Sequence, residues 1–123
     1  MSLEPNDIAH LRLASIVASA DDAIISTDLS GTIETWNRAA EQIFGYTEAE
    51  AIGQSIRLII APERYAEEEE VLRRVRANQG VNHYDTVRIR KDGQPIWVAL
   101  TVSPIVTPDG QVLGVSKIAR DIT

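Results

Sequence analysis

Carboxylates and a few basic side chains carry nearly all the candidate chemistry in this 123-residue chain. Cysteine is absent, which removes disulfides, thiolate metal sites, cysteine nucleophiles and cysteinyl-flavin adducts. The two histidines, His10 and His83, lie far apart in sequence, so hydrolytic and metal chemistry have little to work with. Carboxylates stand at Asp21, Asp22, Glu48, Glu50 and in the run 67–70. Helix caps and solvated helix faces account for them. No nucleophile–base motif, phosphate-binding loop or dinucleotide fingerprint occurs. These residues point to a binding or interaction module, not an enzyme.

Composition sets the frame. Apolar residues make up 44% and charged residues 24%, a globular balance, and the length is that of one domain. The net charge is −6, which argues against a nucleic-acid surface and against contact with an anionic membrane. No apolar run approaches the roughly 20 residues of a membrane span, and no signal peptide opens the chain. The expected location is cytoplasmic.

Residues 4–20 read as a helix capped by Asn6 or Asp7. Ile8, Leu11, Ser15 and Ala18 form one stripe, and Leu13, Ile16, Val17 and Ala20 a second. A helix apolar on two sides has two partners available, its own core and another chain. Asp21-Asp22 breaks it. The β-rich run 23–28, a turn at Gly31 and the run 32–36 make a hairpin. Asn37 caps a helix over 38–44 that Gly45 stops. Thr47 and Glu50 have capping-box spacing for a second short helix ended by Gly53. Residues 55–60 read as a short helical turn. Pro62 opens a long helix over 62–78, acidic first and basic last, which suits its dipole. Its expected i,i+4 pairs are Glu69–Arg73 and Glu70–Arg74, and its inner stripe is Tyr65, Glu68, Leu72 and Val75. Strands follow at 83–90, 94–106 and 111–121, with turns at 91–93 and 107–110.

Strand alternation then assigns faces. In the long strand Ile96, Val98, Leu100 and Val102 face the core, and Trp97, Ala99, Thr101 and Ser103 face away. Matching parity turns Tyr84, Thr86 and Arg88, and Val115, Lys117 and Ala119, inward. Inward Arg88 and Lys117 need partners: a lid carboxylate such as Glu41 or Glu68, or a carboxylate ligand. The outer face around Trp97 wants a cover, and the N-terminal helix is available. The fold class is α+β, a five-stranded antiparallel sheet with helices across one face.

Four stretches in order, AIISTDLSGTIETWNRAAEQIFGYTEAEAIGQ (23–54), VRIRKDGQPIW (87–97), SPI (103–105) and DGQVLGVSKIARDIT (109–123), resemble the PAS domain, the sensory module of bacterial signalling proteins. The resemblance implies a PAS fold over 21–123 with strand order 2-1-5-4-3, preceded by a flanking or dimerisation helix over 1–20. It implies a lid over 37–79, ligands held between lid and sheet, and signals leaving through terminal helices. The expected function is a sensory and interaction module of a signalling protein such as a sensor histidine kinase or a cyclic-dinucleotide enzyme. The alternative is a ligand-free structural dimerisation module.

On this frame the candidate cavity is lined by Phe44, Ile56, Ile59, Tyr65, Glu68 and Leu72 from the lid. The sheet adds Tyr84, Arg88, Val98, Leu100, Val102, Val115, Lys117 and Ala119. An apolar space with a few polar groups fits a small ligand; a plain core is the other reading. Light-sensing relatives need a cysteine in the stretch 53–57, and none is present. Haem-binding relatives place a histidine on the long helix, where the matching position is Glu68, so histidine-ligated haem is not expected. Noncovalent FAD is not favoured, because 82–84 reads Asn-His-Tyr and lacks the tryptophan of that branch. The expected cofactor is none, or one whose identity these residues do not give. The expected partners are a second copy, met through Ile8, Leu11, Ser15, Ala18 and Trp97, a possible small-molecule ligand, and a downstream effector domain. Asp121, Ile122 and Thr123 match the family's closing motif, where output begins. Glu50 and Lys91 match a surface salt bridge between lid and sheet.

Overall fold

The computed structural model describes residues 20–123, so the expected N-terminal helix with Ile8, Leu11, Ser15 and Ala18 lies outside the described residues. Strands β1 (Ala23–Asp28) and β2 (Ile33–Trp36) form the first hairpin. Its turn is held by Asp28, whose Oδ1 accepts from the amides of Ser30 and Thr32 and from the Ser30 hydroxyl. Gly31 supplies the left-handed φ of +89° that this turn requires. Helices α1 (Arg38–Phe44) and α2 (Glu48–Ala51) follow, then a 3₁₀ turn at Ile56–Ile59, a second at Pro62–Arg64, and helix α3 (Tyr65–Arg76). Strands β3 (Val81–Ile89), β4 (Pro95–Val106) and β5 (Val112–Asp121) complete the chain.

The caps read from sequence are present. Asn37 accepts from the Ala40 amide at 3.0 Å, and Thr47 and Glu50 form a reciprocal capping box. Asn37 does more than cap: it accepts from the Ile24 amide at 2.9 Å and donates to the Asp22 carbonyl at 3.0 Å, tying the lid's first helix to the start of β1.

The sheet is antiparallel throughout, in the order β2-β1-β5-β4-β3. The outermost strands in sequence are thus neighbours at its centre. The helices cover one face. Ile25, Val98, Leu100, Val102, Val115 and Ala119 from the sheet pack against Phe44, Ile56, Ile59, Val71 and Val75 in one buried cluster. Trp36 closes it near β2, stacked at a tilt on Phe44 with centroids 5.7 Å apart and donating Nε1–H to the Tyr46 carbonyl.

Two details of the long helix differ from expectation. The segment from Pro62 opens as a 3₁₀ turn, and the α-helix itself runs only from Tyr65 to Arg76. Its buried residues are Glu68, Val71 and Val75, with Leu72 half-buried. The helix is rotated so that Glu67 and Glu68 both reach cations on the sheet. The ion pairs change accordingly. Glu70 holds both Arg73 and Arg74, while Glu69 turns away to Arg57 at 2.8 Å, so the expected Glu69–Arg73 pair is replaced.

Candidate functional site

All fourteen expected cavity residues gather between lid and sheet. Phe44, Ile56, Ile59, Val98, Leu100, Val102, Val115 and Ala119 lie in the buried apolar cluster, and Tyr65, Leu72 and Tyr84 pack on its edge. Glu68, Arg88 and Lys117 are buried among them. Strand pairing places them. Tyr84, Thr86 and Arg88 sit opposite Leu100, Val98 and Ile96, while Lys117 sits between Val102 on one side and Ile25 on the other. Trp97 lies on the opposite sheet face, half exposed. Asp121, Ile122 and Thr123 end the chain; the Ile122 amide donates to the Trp97 carbonyl at 3.0 Å and the Thr123 amide to Asp121 Oδ1 at 2.9 Å.

The buried charges form a network beneath α3. Lys117 Nζ donates to both oxygens of Glu68 at 2.7 Å. Burial pulls the Lys117 ammonium down from its ordinary range, and the Glu68 charge opposes that pull. Lys117 thereby has the lid partner that its inward parity demanded. Arg88 does not share it. Its Nη1 donates to Thr86 Oγ1 at 3.2 Å and to the Val87 carbonyl at 2.9 Å, and lies 3.6 Å from Glu67. Thr86 is the hub: it accepts also from Arg64 at 3.2 Å and donates to Glu67 at 3.1 Å. Glu41, the other carboxylate considered, instead accepts from the Glu48 amide at the lid surface.

Glu67 and Arg64 were absent from the expected site. The signal for Glu67 was available: it stands one helical turn before Val71, on the face that is buried once α3 rotates. Two polar atoms in this region are buried without a hydrogen-bond partner, Tyr84 Oη and Arg88 Nη2. Burial pushes the Tyr84 hydroxyl up to about 12, with the Arg88 charge working against the rise.

Two openings flank the network. A cleft of about 270 Å³ lies between the Gly31 turn and α3, with Glu68, Glu69 and Leu72 on one side and Ser55, Ile56 and Arg57 on the other. Arg57 bridges it, pairing with Glu69 and lying 4.3 Å over the Tyr65 ring. A groove of about 190 Å³ lies between α3 and β3, walled by Val71, Val81 and Tyr84 and rimmed by Glu67, Glu70 and Arg74. Glu50 and Lys91 form the expected lid–sheet ion pair, at the surface, where solvent screening leaves such a contact little weight in stability. Among the described residues there is no cluster of His, Asp and Glu that could hold a metal, and no helix long and apolar enough to cross a membrane.

Comparisons with known proteins agree with this architecture. A family model described as the PAS fold matches residues 11–122. The chain is 32% identical over 104 residues to Two-component system protein A of Emericella nidulans, covering 84% of this chain and 15% of that protein. It is 31% identical over 97 residues to Sensor protein FixL of Bradyrhizobium diazoefficiens, covering 76% of this chain and 19% of that protein. The chain thus spans less than a fifth of these curated relatives. The PAS domain of a protein from Colwellia psychrerythraea superposes with a TM-score of 0.85 at 35% identity, over 95% of this chain and 98% of that one. A domain of a sensory box sensor histidine kinase/response regulator from Geobacter sulfurreducens shares the fold, with a TM-score of 0.79 at 20% identity, over 98% of this chain and 100% of that one. A sheet ordered 2-1-5-4-3 under a helical lid, matched by the family model over nearly the whole length, establishes that the chain belongs to the PAS family.

Proposed function

We propose that this PAS domain is the sensing part of a longer cytoplasmic signalling protein, such as a sensor histidine kinase or a cyclic-dinucleotide enzyme. It takes a small molecule between lid and sheet and passes the change to an effector through the segments joined to its two ends. The observation that carries this reading is the Lys117–Glu68 pair. It ties the lid helix α3 to the central strand β5, and β5 leads directly to Asp121, Ile122 and Thr123. Glu68 also lines the 270 Å³ cleft. A ligand there that competes for either partner moves α3 against β5. The shift it produces is bounded by its difference in affinity for the two arrangements.

A panel of metabolites screened by thermal unfolding, followed by hydrogen exchange on the stabilising compounds, tests the reading. The expected result is slowed exchange in α3 together with changed exchange over 119–123. If no compound stabilises the domain, or stabilisation leaves 119–123 unaltered, the sensing reading fails.

One observation favours a second reading, a structural dimerisation module. The outer sheet face carries exposed apolar side chains, with Trp97 at 52%, Leu113 at 58% and Ile118 at 41% exposure. In that reading the face, with the helix over 1–20, meets a second copy. Molar mass in solution with and without residues 1–20 separates the two: a dimer that persists unchanged after the deletion rules out the helix as the interface.

A further inference from the structure

We propose that the cleft between the Gly31 turn and α3 takes a zwitterionic amino acid with an aliphatic side chain, its carboxylate on Arg57 and its ammonium on the carboxylates of Glu68 and Glu69. This deepens the ligand-sensing reading and rests on it.

Both signs of charge line this one space. Arg57 stands on the 3₁₀ turn at Ile56–Ile59 and Glu68 and Glu69 stand on α3, and all three line the cleft of about 270 Å³. Each keeps bonding capacity after its protein contacts are made. Among the described residues, the Arg57 guanidinium donates only through Nη2, to Glu69 Oε1, and a guanidinium carries five N–H donors. Glu69 Oε2 receives no donor among those residues. Glu68 accepts one bond from Lys117 at each oxygen, whereas a carboxylate has about four lone-pair sites. Ser55 Oγ accepts from the Arg57 amide at 3.2 Å, which leaves its proton free to join Arg57 in donating to a carboxylate. A ligand can therefore bond here before any existing pair is broken. Its ammonium on Glu68 then competes with Lys117, the contact that ties α3 to β5.

Charge and space narrow the ligand. Arg57 pairs with Glu69 and Lys117 with Glu68, so the cleft and the network behind it are already balanced. A lone carboxylate or a lone amine brings one uncompensated charge into a partly buried space, which is costly. A zwitterion brings none and meets a group of opposite sign at each end. Glu68 is only 5% exposed, so an ammonium beside it is little screened by solvent. Ile56 and Leu72 add apolar wall, against which an aliphatic side chain packs. The space equals that of about nine waters, the size of one such amino acid.

The test is isothermal titration of the full chain with L-leucine, with 4-methylpentanoate, which lacks the ammonium, and with 3-methylbutylamine, which lacks the carboxylate, all at equal ionic strength. Saturable leucine binding is expected, with each analogue weaker by about tenfold or more, the worth of one charge-assisted hydrogen bond. Arg57→Gln alters a side chain that is 42% exposed and should leave the fold intact. It should weaken leucine by a similar factor, so that leucine and 3-methylbutylamine bind the variant alike. A purely structural role for Arg57 would instead weaken both ligands together. No saturable leucine binding, an analogue that binds as tightly as leucine, or leucine affinity unchanged in folded Arg57→Gln would each overturn the proposal. If one of these occurs while the metabolite panel yields a stabilising compound, the amino-acid assignment falls and the sensing reading stands. Failure of the panel as well removes both.

Discussion

Lys117 and Glu68 bury opposite charges in contact, each side chain about 5% exposed. Attraction at 2.7 Å offsets the desolvation of both groups, but burial still lowers the Lys117 ammonium, so the pair is a weak source of stability. The cost of breaking it is another matter. Lys117→Met leaves Glu68 charged and unpartnered, and should cost about 3–5 kcal/mol. The double variant Lys117→Met, Glu68→Leu should recover most of that loss. Chemical denaturation of both proteins checks this, and a double variant no more stable than the single one would show that the charges themselves hold the fold. Strand parity made the inward direction of Lys117 and Arg88 legible in the sequence. Which carboxylate meets which cation was not, because Glu67 and Glu68 are adjacent and a modest rotation of α3 exchanges them.

At the scale of the element, α3 shows what periodicity can and cannot decide. Tyr65, Glu68, Leu72 and Val75 and the observed Glu68, Val71 and Val75 are both acceptable helical stripes. The choice falls to the sheet, where β3 and β5 each present a buried cation. The outer face follows the same rotation. Glu70 is left between Arg73 at 2.6 Å and Arg74 at 3.3 Å, and hydrogen bonding from Arg73 holds its carboxyl down at about 2. A carboxyl lowered on folding stabilises the native state above its unfolded value of 4.5 and loses that contribution as pH falls toward 2. Glu70→Gln should therefore flatten the fall in thermal midpoint between those limits and leave the protein near wild type below them. Midpoint profiles of equal slope would show that the pair contributes nothing, as solvent-exposed pairs often do.

Across the whole molecule the strand order is the governing feature, and it brings the central strands β1 and β5 into close approach at a glycine. Gly114 pairs with Asp28 on β1 and Ile105 on β4. A Cβ there would stand 2.5 Å from the Thr27 carbonyl oxygen. Gly114→Ala must push β1 from β5 and should cost about 1–3 kcal/mol, as overpacking does. A lowered denaturation midpoint with an unchanged slope is the expected signature, and an unchanged midpoint would mean the strands yield freely. Sequence patterning located the five strands to within two residues of their ends, since alternation and turn residues are local signals. The close approach at Gly114 is set by pairing 86 positions apart and leaves no local trace.

Antiparallel β1 and β5 have a further consequence. Ala23 lies opposite Ala119, and Asp22 is clasped by Arg120 at 3.3 Å. The polypeptide therefore enters and leaves the sheet at the same end, about one strand spacing, ~4.8 Å, apart. A host protein opened at a surface loop would find its two cut ends met at nearly their original separation. The domain can be spliced into a foreign backbone like a cartridge, its flanking segments emerging side by side, where any twist between β1 and β5 becomes a twist between the two halves of the host.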